Sequence, residues 1–168
     1  MQGKGFISEI ESTIGMKKTI SIFLCLTFIL SFISPKEEEL KWYHWNEGYP
    51  KATKEKKLIL VDAYTDWCGW CKKMDRDTYS NSEVIKKLNK YFVVIKFNPE
   101  QLDKTYTIDG QVFTARDFYK QLCRGERTGF PTTYFIDPVR KSLLIDAGYK
   151  DAAGFMQVLD HVLGEAAK

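Results

Sequence analysis

Cys68 and Cys71 stand two residues apart in Trp67-Cys68-Gly69-Trp70-Cys71-Lys72. At that spacing two thiols can close a small disulfide ring and reopen it without unfolding their surroundings. The run before the pair, Leu58 to Tyr64, is apolar with one acid inside it, Asp62, and reads as a buried strand. The run after it, Lys72-Lys73-Met74-Asp75-Arg76, reads as a helix. That order sets the first thiol at a helix N-terminus, where partial positive charge stabilises a thiolate and lowers its pKa from the free value of about 8.5. Dithiol redox chemistry is what the arrangement implies. The competing reading is half of a zinc site, which requires four ligands. Outside the N-terminal apolar stretch the chain offers only Cys123 and the isolated His44 and His161, so no second ligand pair is in view.

The elements that must hold this pair follow from the pattern on either side. Trp42, Tyr43 and Trp45, with the charged stretch to Lys57, predict a lead-in strand or turn and a short amphipathic helix. Ser80-Asn81-Ser82-Glu83 has capping-box spacing ahead of a helix through Val84, Ile85 and Leu88. Phe92 to Phe97 predicts a buried strand. Asp109-Gly110, between two short apolar runs, is a hairpin signal and makes residues 98–113 a small β-ribbon at the surface. Thr114 with Asp117 opens a helix that aligns Ala115, Phe118, Tyr119 and Leu122. Two strands joined through Asp137-Pro138 and a last helix carrying Phe155, Val158, Leu159 and Val162 complete the domain.

Several of these segments, in this order, resemble the thioredoxin superfamily. Val61 to Lys72 is similar to its active-site segment, with an acid six residues before the first cysteine. Gly129-Phe130-Pro131-Thr132-Thr133 is similar to the loop in which the family carries a cis-proline opposite the disulfide. Lys96 falls where a lysine often stands near the buried acid, and Gly148 precedes the last helix. The Gly69-Trp70 dipeptide and the lengthened segment between Lys96 and Pro131 are closer to the extracytoplasmic branch. That branch includes the C-terminal domain of the bacterial thiol:disulfide interchange protein. The resemblance covers residues 40–168 and implies a thioredoxin fold: a central mixed sheet, helices on both faces and a β-ribbon insertion.

It also implies roles. Cys68, nearest the helix start and expected to be the more exposed, is the nucleophile. Cys71 resolves the mixed disulfide by attacking Cys68. Asp62 is the candidate proton acceptor for Cys71, since burial raises a carboxyl pKa toward neutrality; the alternative is a strand-end acid facing water. Lys96 either tunes Asp62 or is an exposed strand lysine. Pro131 is expected to be cis, with a turn proline as the alternative, and would set the Phe130 backbone against the disulfide. Trp67, Gly69, Trp70, Phe130 and Thr132 complete the expected substrate-contacting set, although Trp67 could serve packing alone. Cys123 reads as a small buried hydrophobe or, more sharply, as a regulatory thiol.

Composition bounds what remains. The 168 residues are 44% hydrophobic and 28% charged with a net charge of +3, which gives no nucleic-acid signal. Lys17-Lys18 followed by the apolar run from Thr19 to Ile33 fits a secretory leader. Residues 1–15 then read as a gene-model extension upstream of Met16, residues 16–35 as signal peptide or uncleaved anchor, and 36–168 as the thioredoxin-like domain. The expected activity is exported thiol:disulfide exchange, periplasmic or otherwise extracytoplasmic, with no cofactor or metal. Its partners would be disulfide-containing proteins and an upstream thiol donor, either in the membrane or free of it, with the chain itself monomeric. A different class, a peptide-binding or chaperone-like module with little redox turnover, would use the same aromatic rim.

Overall fold

A computed structural model describes residues 38–126 and 128–167. The segments assigned above to residues 1–15 and 16–35 lie outside the described residues. The apolar run at the centre of the sequence becomes the centre of the sheet. β1 (Leu58–Ala63) pairs in parallel with β2 (Phe92–Phe97) and antiparallel with β5 (Thr132–Asp137), which pairs antiparallel with β6 (Ser142–Ala147). The strand order is β2-β1-β5-β6, a mixed sheet.

Side chains alternate across each strand and divide the core in two. On one face Ile59, Val61, Ala63, Val93, Ile95, Phe97 and Tyr134 pack with α1 (Trp45–Glu55) and α4 (Ala115–Cys123) through Trp45, Ala52, Ala115 and Phe118. On the other, Leu60, Phe92, Val94 and Phe135 meet α2 (Gly69–Asp77), α3 (Ser82–Tyr91) and α5 (Ala152–Ala166). Met74, Val84, Leu88, Phe155 and Leu159 supply that contact. Each such side chain contributes on the order of 1.5–3 kcal/mol by leaving water. Asp62 and Lys96 share the second face with Leu60 and Val94, so the sheet aims both polar groups at the layer that contains the cysteine helix.

Gly48 sets how closely α1 lies on the sheet. A Cβ there would stand 2.7 Å from the Ile95 side chain. The lead-in is shorter than a strand, a single bridge between Tyr43 and Ile95.

Two sequence expectations change. The cap of α3 is Asn81, whose Oδ1 accepts from the Glu83 and Val84 N–H groups at 3.1 and 3.2 Å. Ser80 is not a cap, because its hydroxyl turns back to the Arg76 carbonyl. The ribbon, β3 (Thr105–Ile108) paired with β4 (Gln111–Thr114), forms around Asp109-Gly110 as expected but is not merely a surface feature. Tyr106 is buried, stacked 4.6 Å from Phe118 and edge-on 5.1 Å from Phe97. The Trp45 indole donates to the Thr107 carbonyl at 2.8 Å. An aromatic on the inner face of a short ribbon has nowhere drier to go than the core beneath it.

Candidate active site

β1 ends at Ala63, and five residues later Cys68 is the N-cap of α2. Cys68 and Cys71 form a disulfide with Cα atoms 5.3 Å apart. The Cys68 Sγ accepts a hydrogen bond from the Cys71 N–H at 3.0 Å. A sulfur therefore occupies the place that a serine or aspartate oxygen takes in an ordinary N-cap, against one of the unpaired amides of the first turn. That amide and the helix dipole favour negative charge on Cys68. In the closed pair the two cysteines are almost equally buried, 4% and 3% exposed, and their positions on the helix distinguish them.

Asp62 is 2% exposed and Lys96 is its direct neighbour in the β1–β2 register. The Lys96 ammonium lies 2.5 Å from Asp62 Oδ2 and also pairs with Asp75. The rings of Trp42, Tyr64 and Tyr79 surround it at 4.6, 5.2 and 5.4 Å. Of the two readings of Lys96, the structure has the paired one. Burial pushes the Asp62 carboxyl above its ordinary value, against the pull of Lys96. Burial acts to lower the Lys96 ammonium, and the two carboxylates more than offset it. Asp62 Oδ1 is buried with no hydrogen-bond partner among the described residues, which leaves it open to a proton.

The rim is aromatic. Trp67 and Trp70 are 69% and 58% exposed, well outside the packed core. Trp67 donates from Nε1 to Glu100 at 3.1 Å and meets the Phe130 ring edge-on at 6.0 Å. Trp70 lies 5.4 Å from Tyr149. The Phe130-Pro131 bond is cis, Pro131 is buried, and its carbonyl accepts from Gly148 N–H at 2.8 Å. Gly148 has a φ of +89°, a conformation that favours glycine. Trp67 adjoins Cys68 and Phe130 adjoins Pro131, so their contact brings the proline loop and the cysteine motif to one end of the sheet. Gly69 is exposed beside the pair. Thr132, assigned to substrate contact by resemblance, is fully buried and spends its hydroxyl on the Gly129 carbonyl at 2.7 Å. It shapes the loop from inside.

Residues not singled out from sequence also converge here: Asp75, Tyr79, Glu100, Thr133, Asp146 and Tyr149. Asp75 carried a signal, since it follows Cys71 by one helical turn. Cys123, away from the pair, is buried and contacts the hydroxyls of Tyr134 and Thr128 at 3.2 and 3.4 Å. Among the described residues no group of three or more His, Cys, Asp or Glu side chains could hold a metal ion. No described helix is long and apolar enough to cross a membrane.

A mixed sheet with helices on both faces, a cysteine pair capping a helix and a cis-proline loop beside it define a protein of the thioredoxin superfamily. The chain belongs to the Thioredox_DsbH family, described as a protein of unknown function, DUF255, whose pattern matches residues 31–166. A solved structure titled DsbH Oxidoreductase superposes with a TM-score of 0.57 at 20% identity, covering 78% of this chain and 90% of that one. The thiol:disulfide interchange protein DsbD of Photorhabdus laumondii is 24% identical over 179 aligned positions, 95% of this chain and 29% of that protein. Human spermatogenesis-associated protein 20 is 35% identical over 69 residues, 39% of this chain. The match spans only 9% of the length of that human protein.

Proposed function

We propose that this chain is an exported thiol:disulfide oxidoreductase that reduces or exchanges disulfides in partner proteins. The observation that carries the reading is the Cys68–Cys71 disulfide at the start of α2, with the Cys71 amide directed at the Cys68 sulfur. In the reduced protein Cys68 attacks a partner disulfide as the thiolate. Cys71 then loses its proton toward Asp62, attacks Cys68 and releases the reduced partner. The Trp67, Trp70 and Phe130 surface receives the partner chain beside the Pro131 loop, by addition of an extended segment. Electrons arrive and leave as thiols, so no organic cofactor or metal enters the cycle.

The buried Asp62 and the lack of a histidine between the cysteines support the reducing end of the family's range. That range runs from about −270 mV for thioredoxin to about −120 mV for the oxidant DsbA. The Lys17-Lys18 pair and apolar run to Ile33 support export, with residues 16–35 as leader or anchor and 36–168 as the working domain. Relation to DsbD supports disulfide-containing proteins as partners and a thiol donor upstream; the chain itself is read as a monomer.

Insulin reduction by dithiothreitol tests the activity. The chain should accelerate it, and a Cys68→Ser, Cys71→Ser double variant should not. A wild-type chain that binds reduced insulin chains without accelerating their release would instead be the peptide-binding module.

A further inference from the structure

Trp70 is exposed between the two cysteines, yet a neighbour from another part of the chain holds it. α2 turns Cys71 and Met74 inward, which leaves Trp70, Lys73 and Asp77, three and four residues apart, on its outer face. The half-buried Tyr149 ring lies along that face. At one end it stands 5.4 Å from the Trp70 ring at a 42° tilt, the one aromatic neighbour of Trp70 among the described residues. At the other end its hydroxyl accepts from Lys73 Nζ at 3.1 Å and donates to Asp77 Oδ2 at 3.5 Å, and Lys73 also pairs with Asp77. The backbone on either side of Tyr149 is fixed as well. Gly148 N–H donates to the Pro131 carbonyl at 2.8 Å. The hydroxyl of Thr78, the fully buried C-cap of α2, donates to the Lys150 carbonyl at 2.6 Å. Residues 148–150 thus join the proline loop to the cysteine helix, and Tyr149 is the side chain this connection presents to Trp70. A lone exposed apolar side chain needs no explanation. An indole held in the open by an anchored ring is different, because it gives up rotamer freedom before any partner arrives.

We propose that Tyr149 is a positioning residue for partner recognition: it fixes the Trp70 indole as a preformed apolar wall beside Cys68, favouring partner segments with an apolar side chain next to their cysteine. The inference rests on the reading of Cys68 and Cys71 as a redox pair with Trp70 on its rim. Trp67 is held on its own side by Glu100 and Phe130. Two indoles, each steadied by a different loop, therefore flank the first cysteine. A segment laid against the Pro131 loop with its cysteine at Cys68 brings an adjoining side chain over Trp70. Burial against an indole there rewards a leucine, whereas a serine would lose water without a hydrogen-bonding partner in the ring face. Tyr149 acts through Trp70, and its own hydroxyl is already committed to Lys73 and Asp77.

Reduction of two synthetic peptide disulfides by the full chain, with dithiothreitol as electron source, tests this. One peptide carries leucine on each side of its cysteine and the other carries serine. The wild type should show the lower KM for the leucine peptide. Tyr149→Leu keeps an apolar side chain over the core beneath it but removes the ring. It should raise KM for the leucine peptide about three- to tenfold, with kcat and the KM of the serine peptide within about twofold of wild type. Tyr149→Phe, which keeps the ring, should restore the wild-type KM. Trp70→Ala should raise KM at least as much as Tyr149→Leu, and the double variant should go no higher than Trp70→Ala. Nitrogen-15 relaxation of the Trp70 indole N–H should show greater mobility in Tyr149→Leu and not in Tyr149→Phe. A Tyr149→Leu protein with wild-type KM, an equal rise for both peptides, or a Tyr149→Phe protein as poor as Tyr149→Leu overturns the proposal and leaves the redox reading in place. So does a raised KM with Trp70 mobility unaltered, which would make Tyr149 a direct contact, or a double variant worse than Trp70→Ala by the full Tyr149→Leu factor. A wild type that reduces neither peptide overturns the redox reading and the proposal with it.

Discussion

Lys96 and Asp62 are direct neighbours in the parallel β1–β2 register, and the ammonium of one lies 2.5 Å from the carboxylate of the other inside the sheet's cysteine-side layer. The pair does not fully compensate Asp62 for leaving water, because burial holds its carboxyl above the ordinary value despite Lys96. A carboxyl raised on folding binds more protons in the native state than in the unfolded one. Its ionisation therefore costs stability, progressively, as pH rises from the unfolded value of about 3.9 through the raised folded value.

Asp62→Asn removes that cost, and Lys96 retains Asp75 as a counter-charge. Urea unfolding of the oxidised protein over a pH series should show the variant and the wild type alike in acid. The variant should become the more stable one as pH rises toward neutrality. A wild type that gains on the variant with rising pH would contradict the direction assigned to Asp62.

The ribbon should prove structural as well as peripheral. Tyr106 is buried between Phe97 and Phe118, so Tyr106→Ala should cost about 3–5 kcal/mol, as other large aromatic truncations do. Val112, on the ribbon's exposed side, should tolerate serine within about 0.5 kcal/mol. Denaturant midpoints at constant m-value measure both. Equal, small losses would return the ribbon to the surface role expected from sequence.

Glu100 ties the lengthened segment to the rim by accepting from the Trp67 indole. Glu100→Ala should raise KM for a protein disulfide by a few-fold, the worth of one exposed hydrogen bond of about 0.5–1.5 kcal/mol. The alkylation rate of Cys68 should stay unchanged, since Glu100 binds the Trp67 indole rather than the thiol. An altered Cys68 rate with unaltered KM would assign Glu100 to the thiol instead.

What the sequence made legible was local. Strand, cysteine pair and helix adjoin in the chain, and Thr114 caps α4 three residues from the N–H it binds. Asp109-Gly110 needs only its own turn. The buried acid was readable because Asp62 interrupts an apolar run. The Lys96 partnership was left open because it depends on a parallel register spanning 34 residues. Asp146 was invisible for the same reason twice over, being aligned with Asp62 only through β5. Thr132 was assigned to substrate contact by its place in a recognised loop, and only the packing beneath that loop shows its hydroxyl turned inward. Ser80 and Asn81 are both good caps, and the choice between them lies in backbone direction, which composition does not encode.

Trapping by single cysteine variants bears most directly on the central claim that Cys68 attacks and Cys71 resolves. Each variant, Cys71→Ser and Cys68→Ser, would be incubated with a protein disulfide and the mixed disulfides counted on non-reducing gels. The account predicts that Cys71→Ser accumulates a mixed disulfide through Cys68, whose thiolate the helix start still stabilises, and that Cys68→Ser traps little. Equal trapping by both, or trapping through Cys71 alone, would contradict it.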